Sequence, residues 1–214
     1  MNITKYGHSC LLVEKDGVRI ITDPGSWNPI PATENIDAVL VTHEHADHFD
    51  IEQIRAIHRD SPGVRIITHK PVGDKLAEAG LPHELIENGE TIDVSGVSVQ
   101  SVGEAHACIY GDLSPCRNTG YVIGGELFAP GDALHDVPPE SVRLLALPTG
   151  GPWMRLSEAI DFAKKVNPKI VFPIHDALYT QVYRGELIPR LVGGHLKGGN
   201  IEFIDLAAGE TREF

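Results

Sequence analysis

The 214-residue chain is poor in cysteine and aromatic residues, and it contains far fewer basic than acidic side chains. Its three cysteines are odd in number and widely spaced, which excludes a disulfide framework and a CxxC metal site. Lys and Arg number 18 against 30 Asp and Glu, so the formal net charge is −12. This charge disfavours loose binding to nucleic acid or anionic membranes, because both depend on basic patches.

Long apolar runs are also missing. No run approaches the roughly 18–20 residues that a membrane span needs, so we expect no membrane association. The chain passes from Met1 directly into strand-like sequence without the features of a signal peptide, which predicts a cytoplasmic location. With 42% hydrophobic and 22% charged residues, the composition is that of a globular protein, and we expect one domain over residues 1–214.

The stretch THEHADH, residues 42–48, follows the apolar run 38–41 and concentrates potential metal ligands. His43 and His45 lie two positions apart, so their side chains share one face while the chain stays extended. A turn at Ala46 would bring the next carboxylate and imidazole to a neighbouring point. Such ligands suit zinc and other first-row divalent ions. A polar loop with chance histidines is the alternative, but four candidate ligands within six positions favour a metal site.

Three more candidates, His106, Asp132 and His175, each follow a predicted strand. Loops at strand ends are where a rigid scaffold presents functional groups. Taken singly, each residue is more commonly a surface histidine or a turn aspartate. Together with the first cluster they give seven ligands, enough for two ions with open positions.

The ordered set HxHxDH, a lone His, an Asp after Gly and a final His resembles the signature of the metallo-β-lactamase fold superfamily. The resemblance implies an α+β fold, an αββα sandwich of two mixed β-sheets flanked by helices, with the site at one edge. The pattern of short strands and interspersed helices independently suggests two sheets with outer helices. Apolar spacing predicts helices at 51–59 and 72–79, one capped by Ser157, and one at about 186–196.

The same resemblance implies a ligand set and a cofactor. The cofactor is two divalent metal ions, with zinc the first expectation and manganese or iron the alternatives. None of the cysteines replaces a second-ion ligand as in antibiotic-hydrolysing members, which disfavours a penicillin-destroying role. The first ion is expected at His43, His45 and His106, the second at Asp47, His48 and His175, with Asp132 bridging both.

Residues near the amino terminus resemble a narrower group within the same superfamily. Gly7-His8-Ser9 and Asp23-Pro24 resemble the ascorbate-6-phosphate lactonase-like metal-dependent hydrolases, although Asp176 stands where that group often has an aromatic residue. This likeness implies that His8 faces the cavity and that Asp23 hydrogen-bonds a ligand imidazole. The alternative is that Asp23 caps its own turn and His8 packs against strand neighbours.

The function implied is that of a binuclear metal-dependent hydrolase in which a metal-bridging hydroxide attacks a small ester, lactone or phosphodiester. Asp47, Asp132 and His8 are the expected catalytic residues, and position alone makes His8, His135 and Asp176 candidates for the acid. The alternatives are a nuclease-type phosphodiesterase acting on RNA or DNA, and a non-catalytic metal-dependent binding protein. A small-molecule substrate is the expected partner, and the oligomeric state is left open.

Overall fold

The structure is a computed structural model that describes residues 1–27, 30–111 and 116–214. Two seven-stranded sheets form its centre. The first has the order β14-β1-β2-β3-β4-β5-β6, antiparallel from β14 to β3 and parallel from β3 to β6. Its strands are β1 Asn2–Gly7, β2 Cys10–Lys15, β3 Val18–Thr22, β4 Ala38–Leu40, β5 Arg65–Thr68, β6 Glu84–Leu85 and β14 Thr211–Glu213.

The second sheet has the order β13-β12-β11-β10-β9-β8-β7, antiparallel from β7 to β10 and parallel from β10 to β13. Each sheet is therefore mixed, as predicted. Its strands are β7 Thr91–Val94, β8 Val97–Val102, β9 Gly120–Ile123, β10 Leu127–Ala129, β11 Leu144–Pro148, β12 Ile170–Ile174 and β13 Glu202–Phe203.

Apolar side chains from both sheets meet in one central core, with Leu11 and Leu40 from the first sheet and Tyr121 and Phe172 from the second. Helices cover the outer faces, and their apolar stripes form two further clusters with the sheets. The αββα sandwich predicted from the resemblance is confirmed. The helices are α1 Ile51–Asp60 and α2 Lys70–Glu78 on the first sheet, with α3 Leu156–Val166 and the turns Tyr183–Leu187, Pro189–Gly193, Gly194–Leu196 and Lys197–Gly199 on the second.

Three local predictions differ from the structure. Helix α3 starts before Ser157, with Arg155 as its N-cap, because the Arg155 N–H donates to the Glu158 carboxylate at 2.6 Å. The carboxy-terminal helical turns begin at Tyr183 rather than near 186. Strand β14 was not predicted, since its residues are exposed and polar and pair with β1 through the backbone.

The sheet architecture brings four strand ends to one edge, where β4, β8, β10 and β12 each lead into a loop that carries candidate ligands. Three residues in loops at this edge have left-handed backbone: His8 at φ 39°, Asp23 at φ 45° and His175 at φ 56°. Such φ values are uncommon for residues other than glycine and cluster at functional sites. Within the described ranges, no helix has the length and apolar character that crossing a membrane requires.

Candidate metal centre

The loops after β4, β8, β10 and β12 bring all seven candidate ligands together, with Asp132 at the middle. The Asp132 carboxylate lies 3.2 Å from His48 Nε2 and 3.0 Å from His175 Nε2. The same carboxylate lies 3.3 Å from His106 Nε2 and 4.0 Å from His43 Nε2. Residues separated by up to 132 positions, from His43 to His175, thus face one small volume.

The donor atoms separate into two groups, and within each group all atoms lie within 4.8 Å of one another. The groups match the two ligand sets that the resemblance implied with two differences: His8 joins the second group, and Asp132, expected to bridge both ions, falls in the first group alone. The first group is His43, His45, His106 and Asp132, and the second is His8, Asp47, His48 and His175.

Four buried polar atoms at the centre lack a hydrogen bond of good geometry within the described residues, although the three imidazole nitrogens among them lie 3.0–3.3 Å from the Asp132 carboxylate. They are the Nε2 atoms of His48, His106 and His175 and the Oδ1 atom of Asp132. Buried polar atoms in folded proteins almost always have a partner, so four at one place need an explanation. A divalent cation accepts electron pairs from imidazole and carboxylate together, so this donor set fits the metal ions that the sequence predicts.

Hydrogen bonds on the far side of the rings fix the tautomer of three imidazoles. The Nδ1 atom of His48 lies 2.8 Å from Asp23 Oδ2, that of His106 lies 2.5 Å from the Ala107 carbonyl, and that of His175 lies 2.5 Å from the Gly150 carbonyl. Carbonyl and carboxylate oxygens only accept, so each Nδ1 carries the proton. In the neutral form of each ring, Nε2 then presents its lone pair to the centre, as metal ligation requires.

Asp23 lies directly behind the ligand cluster. Besides its contact with His48, it accepts hydrogen bonds from the Thr42 N–H and the Thr42 hydroxyl, both at 2.8 Å. That hydroxyl in turn lies 3.0 Å from His43 Nδ1 and accepts its proton. Thr42 was not singled out from the sequence, although its place immediately before His43 was a usable signal. One carboxylate thus orients imidazoles of both groups.

His8 is buried and forms hydrogen bonds to both loops that carry the second group, the loop of Asp47 and the loop of His175. Its Nδ1 accepts the Ala177 N–H at 3.3 Å, so its Nε2 carries the proton and donates to Asp47 Oδ2 at 3.0 Å. Its carbonyl accepts the His175 N–H at 3.0 Å. Because the ring nitrogen that faces Asp47 is protonated, His8 is placed to orient Asp47 and His175 rather than to ligate an ion.

Burial and neighbouring charges set the protonation of the centre. Burial lowers the pKa of His43 well below its ordinary value, and nearby His48 lowers it further. Burial raises the pKa of Asp132, but His48, His106 and His175 outweigh it and hold that pKa well below its usual range. Burial lowers the pKa of His175, but Asp132 and Asp47 raise it to about 9. Before a cation binds, a proton therefore occupies His175 at neutral pH.

A cavity of about 320 Å³ adjoins the first group. The Trp153 ring on its wall lies 5.8 Å from the ring of His106 and 5.5 Å from that of His175. His135 also lines this cavity, whereas Asp176 is bound at 2.8 Å to the buried ammonium of Lys5. Of these two candidate acids, the position of His135 is open to a substrate, and the carboxylate of Asp176 is held by a cation.

Comparison with known proteins places this geometry in context. Residues 2–175 match the family model described as a Beta-lactamase superfamily domain. Protein Rv0786c of Mycobacterium tuberculosis is 34% identical over 197 residues, covering 89% of this chain and 91% of that protein. The UPF0173 metal-dependent hydrolase MJ1163 of Methanocaldococcus jannaschii is 27% identical, over 81% of this chain and 83% of the relative.

A solved structure shares the fold over most of both chains. It is a provisionally assigned metal-dependent hydrolase from Parabacteroides distasonis, 25% identical, with a TM-score of 0.76. The superposition covers 95% of this chain and 91% of that one. The sequence and the fold therefore point to the same superfamily.

Proposed function

The chain belongs to the β-lactamase superfamily, in its metallo-β-lactamase fold, and is a metal-dependent hydrolase; from that premise we propose that it holds two divalent ions and hydrolyses a small ester, lactone or phosphodiester. Lactones are included because Gly7-His8-Ser9 and Asp23-Pro24 resemble the lactonase-like hydrolases. Zinc is the first expectation for both ions, with manganese or iron as alternatives.

The observation that carries this proposal is the convergence of three buried imidazole nitrogens on the Asp132 carboxylate, none of them in a hydrogen bond of good geometry. Asp132 lies between the two groups, with Oδ1 toward His48 and Oδ2 toward His106 and His175. A carboxylate in this position can bridge two ions. A site that only bound one structural ion would have no use for the second set of donors.

Two ions held here would generate a hydroxide nucleophile near neutral pH and polarise the oxygen of the bond to be cleaved. The residues of the chain supply the remaining requirements. Asp47 and Asp132 carry negative charge that offsets the ions, and His8 keeps the Asp47 carboxylate in one orientation through its Nε2 proton. Trp153 closes one side of the centre against bulk water.

Metal analysis followed by a substrate screen tests the proposal. We expect about two equivalents of divalent metal per chain and turnover of an ester, lactone or phosphodiester that chelation removes and metal restores. Thioesters and β-lactams complete the screen as comparison substrates. Fewer than one equivalent of metal, or turnover that survives complete chelation, contradicts the proposal.

A further inference from the structure

Large apolar side chains are exposed mainly around the metal centre. Six such side chains are exposed in the described part of the chain, and five of them lie in segments that carry or follow a residue of the site. The sixth, Leu85 at 47% exposed, lies in β6 and follows no ligand. The five, called the apolar rim below, are Trp27 at 44%, Ile109 at 39%, Tyr110 at 80%, Leu178 at 52% and Val182 at 58% exposed.

Each member of the apolar rim is close in sequence to a residue of the site. Trp27 follows Asp23, and its ring lies 4.7 Å from the ring of His8. Tyr110 follows His106 by four positions, in a loop anchored where the Ala107 N–H donates to the Asp132 carbonyl at 2.8 Å. Three further residues of chain span at most about 11 Å, so Tyr110 stays within reach of the centre.

An aromatic wall joins the metal centre to the segment 178–183. Trp153 lies beside His175, and the N–H of neighbouring Gly151 donates to the Tyr179 hydroxyl at 3.2 Å. Tyr179 stacks on Tyr183 with ring centroids 4.2 Å apart. The cavity of about 320 Å³ beside His106 shares Trp153 with this wall, so apolar and aromatic surface adjoins the centre on this side.

Cationic side chains are absent from the sequence of the loops around the centre. Residues 23–54, 103–116, 130–142, 149–154 and 175–183 contain no Lys or Arg. The same segments contain many Asp and Glu residues, in a chain of net charge −12. Within these segments an anionic substrate would find positive charge only on bound metal ions, and their carboxylates would repel it.

We propose that the substrate is an uncharged ester or lactone with an apolar chain or ring, whose carbonyl lies at the metal centre and whose apolar part lies on the apolar rim. This inference rests on the proposed function and narrows it, because it excludes phosphodiesters and other anionic substrates. Exposed apolar side chains grouped in this way commonly mark a binding surface, and the segments that carry the rim begin at residues of the site.

A series of γ-lactones with growing alkyl chains, from γ-butyrolactone to γ-decalactone, tests the proposal on the metal-loaded protein. Burial of one methylene corresponds to about a fourfold gain in binding, so kcat/KM should rise by up to about fourfold per added carbon until the rim is covered. Bis(p-nitrophenyl) phosphate and a lactone ending in a carboxylate should be poor substrates. The proposal is overturned if kcat/KM does not rise with chain length, or if the protein prefers the anionic compounds.

Two variants and one matched control test whether the dependence of kcat/KM on chain length arises at the apolar rim. Tyr110→Ser and Leu178→Ser should flatten the chain-length series while leaving kcat/KM for γ-butyrolactone within about twofold, because neither residue touches the reacting carbonyl. Leu85→Ser removes an equally exposed apolar side chain away from the site, so its series should match that of the unaltered protein. The proposal is contradicted if kcat/KM rises equally with chain length in all three variants.

Direct binding separates this inference from the proposed function. If no compound is hydrolysed, the proposed function fails, but the neutral fluorescent probe N-phenyl-1-naphthylamine still tests the rim. We expect the probe to bind the unaltered protein and the Leu85→Ser control alike, and at least fivefold more weakly to the two rim variants. Equal binding to all proteins overturns the inference. So does a concentration-dependent dimer that Tyr110→Ser abolishes, because a second copy would then cover the rim.

Discussion

At the scale of single residues, the metal centre is defined as much by what lies behind the imidazoles as by the imidazoles themselves. His48 is held by Asp23, and His175 is held by the Gly150 carbonyl. These contacts remove rotational freedom and select one tautomer before any ion binds. The ligand roles of the seven residues remain predictions, and substitution at two positions tests them most directly.

We expect His48→Ala to lose most of the turnover and about one equivalent of metal while keeping the fold. The substitution removes one donor of the second group but leaves the sheets and helices intact. Metal content, far-ultraviolet circular dichroism and activity measure the three effects. His58→Ala, a histidine of α1 outside the site, is the control and should change none of them. Full turnover in His48→Ala would rule out a two-ion mechanism.

Asp23→Asn should weaken metal binding by about 10–100-fold and lower activity without eliminating it. An amide keeps the size of the side chain, but when its oxygen accepts the Thr42 N–H its NH₂ group faces His48 Nδ1 and cannot accept that proton, so the preferred tautomer is lost. Calorimetric metal titration measures the change. The control is Asp37→Asn, since Asp37 accepts the Arg19 N–H at 2.8 Å away from the centre. Unchanged affinity in Asp23→Asn would mean that Asp23 only shapes its turn.

At the scale of elements, the centre depends on how strand ends are fixed. The Lys5 side chain of β1 is 1% exposed and spans the two sheets, donating to the Pro173 carbonyl and the Asp176 carboxylate, both at 2.8 Å. Pro173 and Asp176 flank His175, so a single cation holds the end of β12 that presents this ligand. Burial lowers the pKa of Lys5, and Asp176 opposes that shift.

Asp176→Ala should destabilise the metal-free protein by about 3–5 kcal/mol, because it leaves the Lys5 ammonium buried without its carboxylate. The double variant Lys5→Met with Asp176→Leu should recover most of that loss, since it removes both charges. Urea unfolding of chelated protein measures both free energies. If the double variant is as unstable as the single one, the ion pair itself is not what holds this strand end.

Most helices and strands were predictable from the sequence, and so was the part of the site that lies in residues 43–48. HxHxDH is a local spacing, so a strand and a turn suffice to bring its side chains together. The convergence of His106, Asp132 and His175 depends on topology, and only their order in the superfamily pattern suggested it. Lys5 was missed although it shares the buried face of β1 with Ile3, because alternation alone does not tell a buried lysine from an exposed one.

At the scale of the whole molecule, metal binding and protonation compete. The pKa of His175 is raised to about 9, so this imidazole is protonated at pH 7 before an ion binds and must lose that proton to ligate. Metal affinity should therefore fall as the pH decreases below about 9. Calorimetric titration at pH 7 in buffers of different ionisation enthalpy should give different apparent enthalpies of metal binding. Identical enthalpies would show that no proton is displaced.

The division of donors between the sheets has a further consequence for folding. Each group takes atoms from both sheets, with His43, His45 and His106 as one example, so neither sheet alone offers a complete set. Ions bound at both groups would therefore link the two sheets, and cobalt bound in their place would report spectroscopically when the sheets come together. During refolding, tetrahedral cobalt absorbance should appear only when the two sheets come together, after the circular dichroism of the separate strands and helices has developed.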